Sequence, residues 1–226
     1  MRRKQTFDLP AVFEATVVGL IELFRRYVVT LGLLLFRPNE YSQRLYDVLT
    51  TPSDDSLERL SGPFTFLLIC WIVANVLADI LASKFGIAYK PYVFPGPKDI
   101  LNIGALIVHI LSPLAALLAV YGIFSISFLL SKTRIPFYNG LALISYPLGF
   151  LFIVIIPYPV LHILIPKPLG GIISLFAYWL LFRRIFQGAS ALTPEAKPRL
   201  KWSLMSLVVI IILVGIVMFW LGWLPG

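Results

Sequence analysis

The chain has 226 residues, of which 59% are hydrophobic and 13% charged, with a net charge of +8 and a mean hydropathy of +0.89. Soluble domains run at about 45–50% apolar and about 25% charged, so too few polar residues remain here to cover a soluble core. These proportions exclude an ordinary soluble domain and predict an all-α, polytopic membrane protein. The positive charge flanks apolar spans, which points to an anionic lipid surface and not to nucleic acid.

Residues 1–61 read as a cytoplasmic and interfacial region. The start, MRRKQTFDLP, is basic, but Asp8 and Glu14 interrupt the apolar stretch beside it, and no small-residue cleavage site succeeds it. No cleavable signal peptide is therefore expected. The stretch AVFEATVVGLIELFRRYVVTLGLLLFRP is apolar enough to touch lipid yet carries Glu14, Glu22, Arg25 and Arg26. At about 100° per residue these four fall within one arc of about 120°, the pattern of an amphipathic helix. Residues 11–36 are expected to form a helix lying in the cytoplasmic interface, with Arg25 and Arg26 binding the membrane surface. Glu22 can pair with both at the i,i+3 and i,i+4 spacings. Arg37-Pro38 should end the helix. The alternative is a sixth transmembrane helix with its charges packed inward. NEYSQRLYDVLTTPSDDSLERLSGP comes next; it is polar, with Tyr41, Leu45, Val48 and Leu49 at helical spacing. It reads as a short surface helix and a loop, with Asp54-Asp55 a solvated cap.

Residues 62–226 read as a membrane domain. A bilayer core needs about 20 apolar residues per helix. Five segments qualify: 63–85, 101–130, 139–156, 168–186 and 202–224. The second contains Ser112-Pro113, which predicts a kink, and the third contains Tyr146-Pro147. The fourth is apolar only to Phe182, so Arg183 and Arg184 are expected to snorkel to the interface. The fifth is uncharged and has Trp202 at one end and Trp220 and Trp223 at the other, as two aromatic belts would require. The outer connections, YKPYVFPGPKD and PYPVLHILIPKP, are short and proline-rich, so they should be stiff.

Topology is set by the basic residues. Arg2, Arg3, Lys4, Arg25, Arg26, Arg37, Arg44 and Arg59 precede the first span. Lys132 and Arg134 lie between the second and third spans, and Arg183, Arg184, Lys197, Arg199 and Lys201 between the fourth and fifth. The opposite side holds only Lys84, Lys90, Lys98 and Lys167. The bias predicts a cytoplasmic N-terminus and an external C-terminus. A re-entrant hairpin in place of the third and fourth spans would leave this parity unchanged.

Two local stretches carry a resemblance. Ser61-Gly62-Pro63 opens the first span, and PFYNGLALISYPLGFLFI, with Tyr146-Pro147, forms the third. With five spans, an inside N-terminus and short loops, they make residues 37–224 similar to the Yip family, the Ypt/Rab-interacting membrane proteins, and above all to its prokaryotic relatives. In the resemblance, Gly62 and Pro63 match the Gly-Pro of the family's first membrane segment. Tyr146 and Pro147 match the aromatic residue and proline of its third. Arg59-Leu60-Ser61 stands where the eukaryotic form has an Asp-Leu pair. The resemblance implies a non-enzymatic protein of a prokaryotic cell membrane that organises membrane or scaffolds partners.

No GxSxG elbow, HExxH pair, P-loop or CxxC is present in the sequence, so no catalytic residue, cofactor or metal ligand is assigned. The single cysteine, Cys70, excludes an intramolecular disulfide. The expected partners are the lipid bilayer, anionic lipids, and other membrane proteins or further copies of the chain; nucleic acid is not expected. One intramembrane polar cluster stands out. Ala74, Asn75, Ala78, Asp79 and Ala82 share a face of the first span, and Asn102, Ala105, His109, Ser112, Pro113 and Ala116 share one of the second. Asp79 lies about 9 Å and His109 about 12 Å below the outer end. Small faces let helices approach. The first two spans are therefore expected to meet there, with Asn75 and Asp79 near His109. The alternatives are an Asp79 that reaches water or Lys84, and a channel or transporter that uses Asp79 and His109.

Overall fold

The computed structural model describes residues 9–50, 60–87, 103–158, 160, 163 and 167–220. Every regular element among them is helical. In chain order these are α1 (Leu9–Phe36), α2 (Pro38–Thr50), α3 (Pro63–Lys84), α4 (Ile103–Leu130), α5 (Phe137–Ile155), α6 (Lys167–Leu192) and α7 (Lys197–Trp220), with a 3₁₀ turn at Pro194–Ala196 before α7. Among the described residues, four stretches are long and apolar enough to cross a membrane: Pro63–Lys84, Leu111–Leu130, Phe137–Ile155 and Leu169–Leu192. The expected fifth span begins on α7, and its last residues, 221–224, lie outside the described ones. The third and fourth segments are separate helices of 19 and 26 residues, each long enough to cross a bilayer.

α5 is the axis of the fold. It packs against α3 most extensively, then α6, α4 and the end of α1. Every residue from Gly140 to Gly149 is buried, as expected of a helix that is apolar on all sides. Lipid tails are as apolar as leucine, so helices in a bilayer associate through close van der Waals fit. Two glycines supply that fit. A Cβ at Gly149 would lie 3.1 Å from Cys70 Sγ and from the Phe66 ring, and one at Gly188 would overlap Leu143 and approach Leu45 to 3.0 Å.

The expected meeting of the first two spans involves residues 101–110 of the second, whose side chains lie outside the described ones. Ala74, Ala78 and Ala82 are buried, and among the described residues the principal neighbour of α3 is α5. α5 offers a long run of apolar side chains around Gly149, against which Phe66 and Cys70 of α3 pack. α4 meets α7 through a reciprocal pair: Ser203 Oγ donates to the Ser127 carbonyl at 2.8 Å, and Ser127 Oγ donates to that of Ser203 at 3.5 Å.

α3 and α4 end in the same way. The amide of Ile87 donates to Ala82 and that of Gly86 to Ser83; likewise Thr133 donates to Phe128 and Lys132 to Leu129. This is the Schellman arrangement, which needs a left-handed residue just past the helix. Gly86 fills it at φ 61° and Lys132 at φ 55°.

α2 is the expected short helix, and its apolar stripe faces the bundle. It packs on α6, and Tyr41 and Leu45 are wholly buried. Their i,i+4 spacing makes one apolar stripe, and Gly188 on α6 leaves the room into which Leu45 fits. The break before α2 is slight. Arg37 still donates its amide to Leu33 at 3.1 Å and accepts from Tyr41 at 2.9 Å, so Pro38 bends a nearly continuous path.

Candidate functional site

The densest buried polar arrangement lies where α3 begins. Ser61 comes just before the helix, with Gly62 as N-cap and Pro63 in the first turn, a position where a missing N–H costs nothing. The Ser61 backbone is held from two sides. Its amide donates to Thr30 Oγ1 on α1 at 2.9 Å, and its carbonyl accepts from Tyr146 Oη on α5 at 2.7 Å. Thr30, Ser61 and Tyr146 are all essentially inaccessible. The two stretches singled out in the sequence, Ser61-Gly62-Pro63 and Tyr146-Pro147, are thus tied by one hydrogen bond. Pro147 is buried one residue further along α5.

Aromatic rings extend the joint across four helices. Tyr41 of α2 meets Tyr146 edge-on at 6.0 Å; Tyr146 lies 5.4 Å from Phe66 of α3, and Phe66 5.4 Å from Tyr27 of α1. Cys70 Sγ is 4.0 Å from Tyr27 Oη. Burial pushes the Tyr41 phenol well above its usual pKa; Tyr146 adds to this and Arg184 opposes it. Among the described residues, Tyr41 Oη, Ser61 Oγ and Arg184 Nε have no hydrogen-bond partner.

Arg184 corrects the snorkelling expectation. Its residue exposure is only 3%. Its guanidinium donates to Gln187 Oε1 at 2.8 Å and to the carbonyl of Leu35 at 3.2 Å. Leu35 is in the last turn of α1, whose carbonyls lack intrahelical partners and carry the negative end of the helix dipole. A buried cation from α6 therefore caps α1. Its neighbour Arg183 is exposed and stacks over Trp179 at 4.8 Å. The doublet divides its labour because adjacent residues on a helix point about 100° apart.

The remaining expected residues are placed separately. Asn75 is buried and its Nδ2 donates to the Trp71 carbonyl of its own helix at 2.8 Å. Asp79 is exposed on the outer face of α3. His109 is on α4, and its side chain lies outside the described ones, so its expected meeting with Asp79 does too. Arg25 and Arg26 pair with Glu22 at 3.6 and 2.8 Å, at the expected spacings. The bond from Arg26, followed by the nearby positive charges, holds the Glu22 carboxyl below its usual pKa. Sequence reasoning missed Thr30, Tyr41 and Arg184. The signals were an arginine doublet within one turn of an apolar helix and the Tyr41/Leu45 stripe.

Comparison with protein-family models, curated proteins and solved structures finds no match. The fold itself defines the class. This is an all-α, multi-pass helical membrane protein, whose first helix is joined to the bundle by buried polar contacts and whose second by apolar and aromatic packing.

Proposed function

We propose that the chain is a non-enzymatic, Yip-like membrane-organising protein, in which α1 lies in the cytoplasmic leaflet and acts as a wedge held by the spanning helices. The observation that carries this reading is the two-part character of α1. Its C-terminal half docks through Tyr27, Thr30, Leu33 and Leu34, all buried. Its earlier turns expose Val18, Leu20, Ile21 and Phe24 at 59%, 60%, 64% and 67%. Bare apolar side chains beside Arg25 and Arg26 suit the headgroup boundary, where interfacial helices sink about 5–10 Å. A helix there adds area to one leaflet only. Anchored to the bundle through Arg184 and Thr30, it would pass that asymmetry to the protein's position in the membrane.

Full-length protein reconstituted in vesicles of phosphatidylglycerol and phosphatidylcholine tests the proposal. Vesicle diameter should fall as protein density rises, and Arg25→Glu with Arg26→Glu should weaken the effect. Ion flux that appears with the wild type and vanishes in Asp79→Asn would replace this reading with the channel.

A further inference from the structure

We infer that the cleft between α6 and α7 is a binding site for one anionic phospholipid, independent of the role given to α1. The cleft is open, has a volume of about 340 Å³, and its walls are almost wholly apolar. Two facing stripes build it. α6 contributes Trp179, Phe182 and Arg183, at i, i+3 and i+4; α7 contributes Lys201, Met205 and Val209, at i, i+4 and i+8. The α7 stripe is about 12 Å long at 1.5 Å per residue.

The chemistry along this cleft is graded. Lys201 stands in the first turns of α7, and the antiparallel α6 brings Arg183 to the same cleft. Both are exposed, and among the described residues neither has a carboxylate within salt-bridge distance. Arg183 is also held over Trp179 at 4.8 Å, which fixes its fork at low entropic cost. Two cations without a carboxylate partner, set in the wall of an apolar trough, match a phosphate joined to an acyl chain. Free phosphate would leave the trough empty, and an apolar peptide would leave the cations unpaired. The basic residues of these loops lie on the side that the charge bias assigns to the cytoplasm, where such interhelical pockets take anionic headgroups.

Native mass spectrometry of the full chain in neutral detergent, with dioleoyl phosphatidylglycerol against dioleoyl phosphatidylcholine, reads the proposal. The phosphatidylglycerol adduct should survive detergent exchange about tenfold better than the choline lipid, and Arg183→Gln with Lys201→Gln should remove most of that difference. Equal retention of both lipids, or an unchanged preference in the folded double variant, overturns it. A measurement that does not need the charge variants uses brominated chains. Brominated phosphatidylglycerol should quench the protein's fluorescence more than brominated phosphatidylcholine at equal mole fraction, and Trp179→Phe should abolish the excess. An excess that persists in Trp179→Phe, or no excess in the wild type, places the lipid elsewhere and overturns the site.

Discussion

At the scale of single residues, two tyrosines that touch each other should behave oppositely. Tyr146 Oη donates to the Ser61 carbonyl at 2.7 Å, inside the bundle. Tyr41 Oη has no partner among the described residues. Removing one half of a buried hydrogen bond strands the other half and costs about 1–3 kcal/mol. Removing an unpaired hydroxyl relieves its desolvation. Tyr146→Phe should therefore lower stability by about 1–3 kcal/mol, while Tyr41→Phe should leave it unchanged or raise it by up to about 1 kcal/mol. Unfolding of the folded protein by SDS in mixed micelles, followed by circular dichroism, measures both; equal losses would show that the ring contact and not the hydrogen bond matters. A second residue-scale effect lies at Lys132. A left-handed conformation costs a side-chain-bearing residue about 1–2 kcal/mol, which glycine avoids. Lys132→Gly should stabilise the protein by about 1 kcal/mol, whereas Gly86→Ala, at the equivalent place after α3, should destabilise it by a similar amount.

At the scale of elements, α2 is set by both of its faces. Tyr41 and Leu45 bury one face against α6. The other face carries Glu40, bonded to Arg44 at 2.7 Å and to Arg37 at 3.3 Å. The hydrogen bond from Arg44 outweighs the cost of burial and, with the bond from Arg37, holds the Glu40 carboxyl below its usual pKa. A lowered folded-state value means that the ionised carboxylate stabilises the fold above the unfolded pKa. That contribution is lost as pH falls through the folded value. The melting temperature of the wild type should thus drop more steeply than that of Glu40→Gln between about pH 5 and 3, and parallel curves would remove Glu40 from the acid transition. Arg184 acts at this scale as well. By capping α1 from α6 it sets where the first helix leaves the bundle, which no contact within α1 can do.

At the scale of the whole molecule, the distribution of lysine and arginine predicts which ends share a compartment. Cys70 is the sole cysteine and is wholly buried, so it should stay silent toward maleimides in the folded protein. Single cysteines in place of Lys84 and Arg134, both exposed, report the two sides. An impermeant maleimide added to whole cells should label the first and spare the second until the membrane is opened. Labelling of both from outside would break the proposed topology. Gly149, where α5 meets α3, and Gly188, where α6 meets α5 and α2, are points of close approach in the bundle around α5.

Much of this architecture was legible in the sequence. Apolar runs of about bilayer length can bury their backbone polar groups only as helices, so composition alone dictated an all-α class. The start at Pro63 and the break at Arg37-Pro38 came from proline's missing N–H and its effect on the residue before it. The Glu22 pairs with Arg25 and Arg26 came from helix spacing. What a neighbour chooses could not be read in this way. Lipid and protein are equally apolar to a leucine, so no periodicity in α3 says whether its alanines will meet α4 or α5; shape decides, and shape exists only once the helices are assembled. The same holds for Arg184. Beyond the apolar stretch of its helix, an arginine can reach water or a neighbouring carbonyl with the same side chain. Only the arrival of the Leu35 carbonyl, 149 residues away in sequence, made burial the better solution.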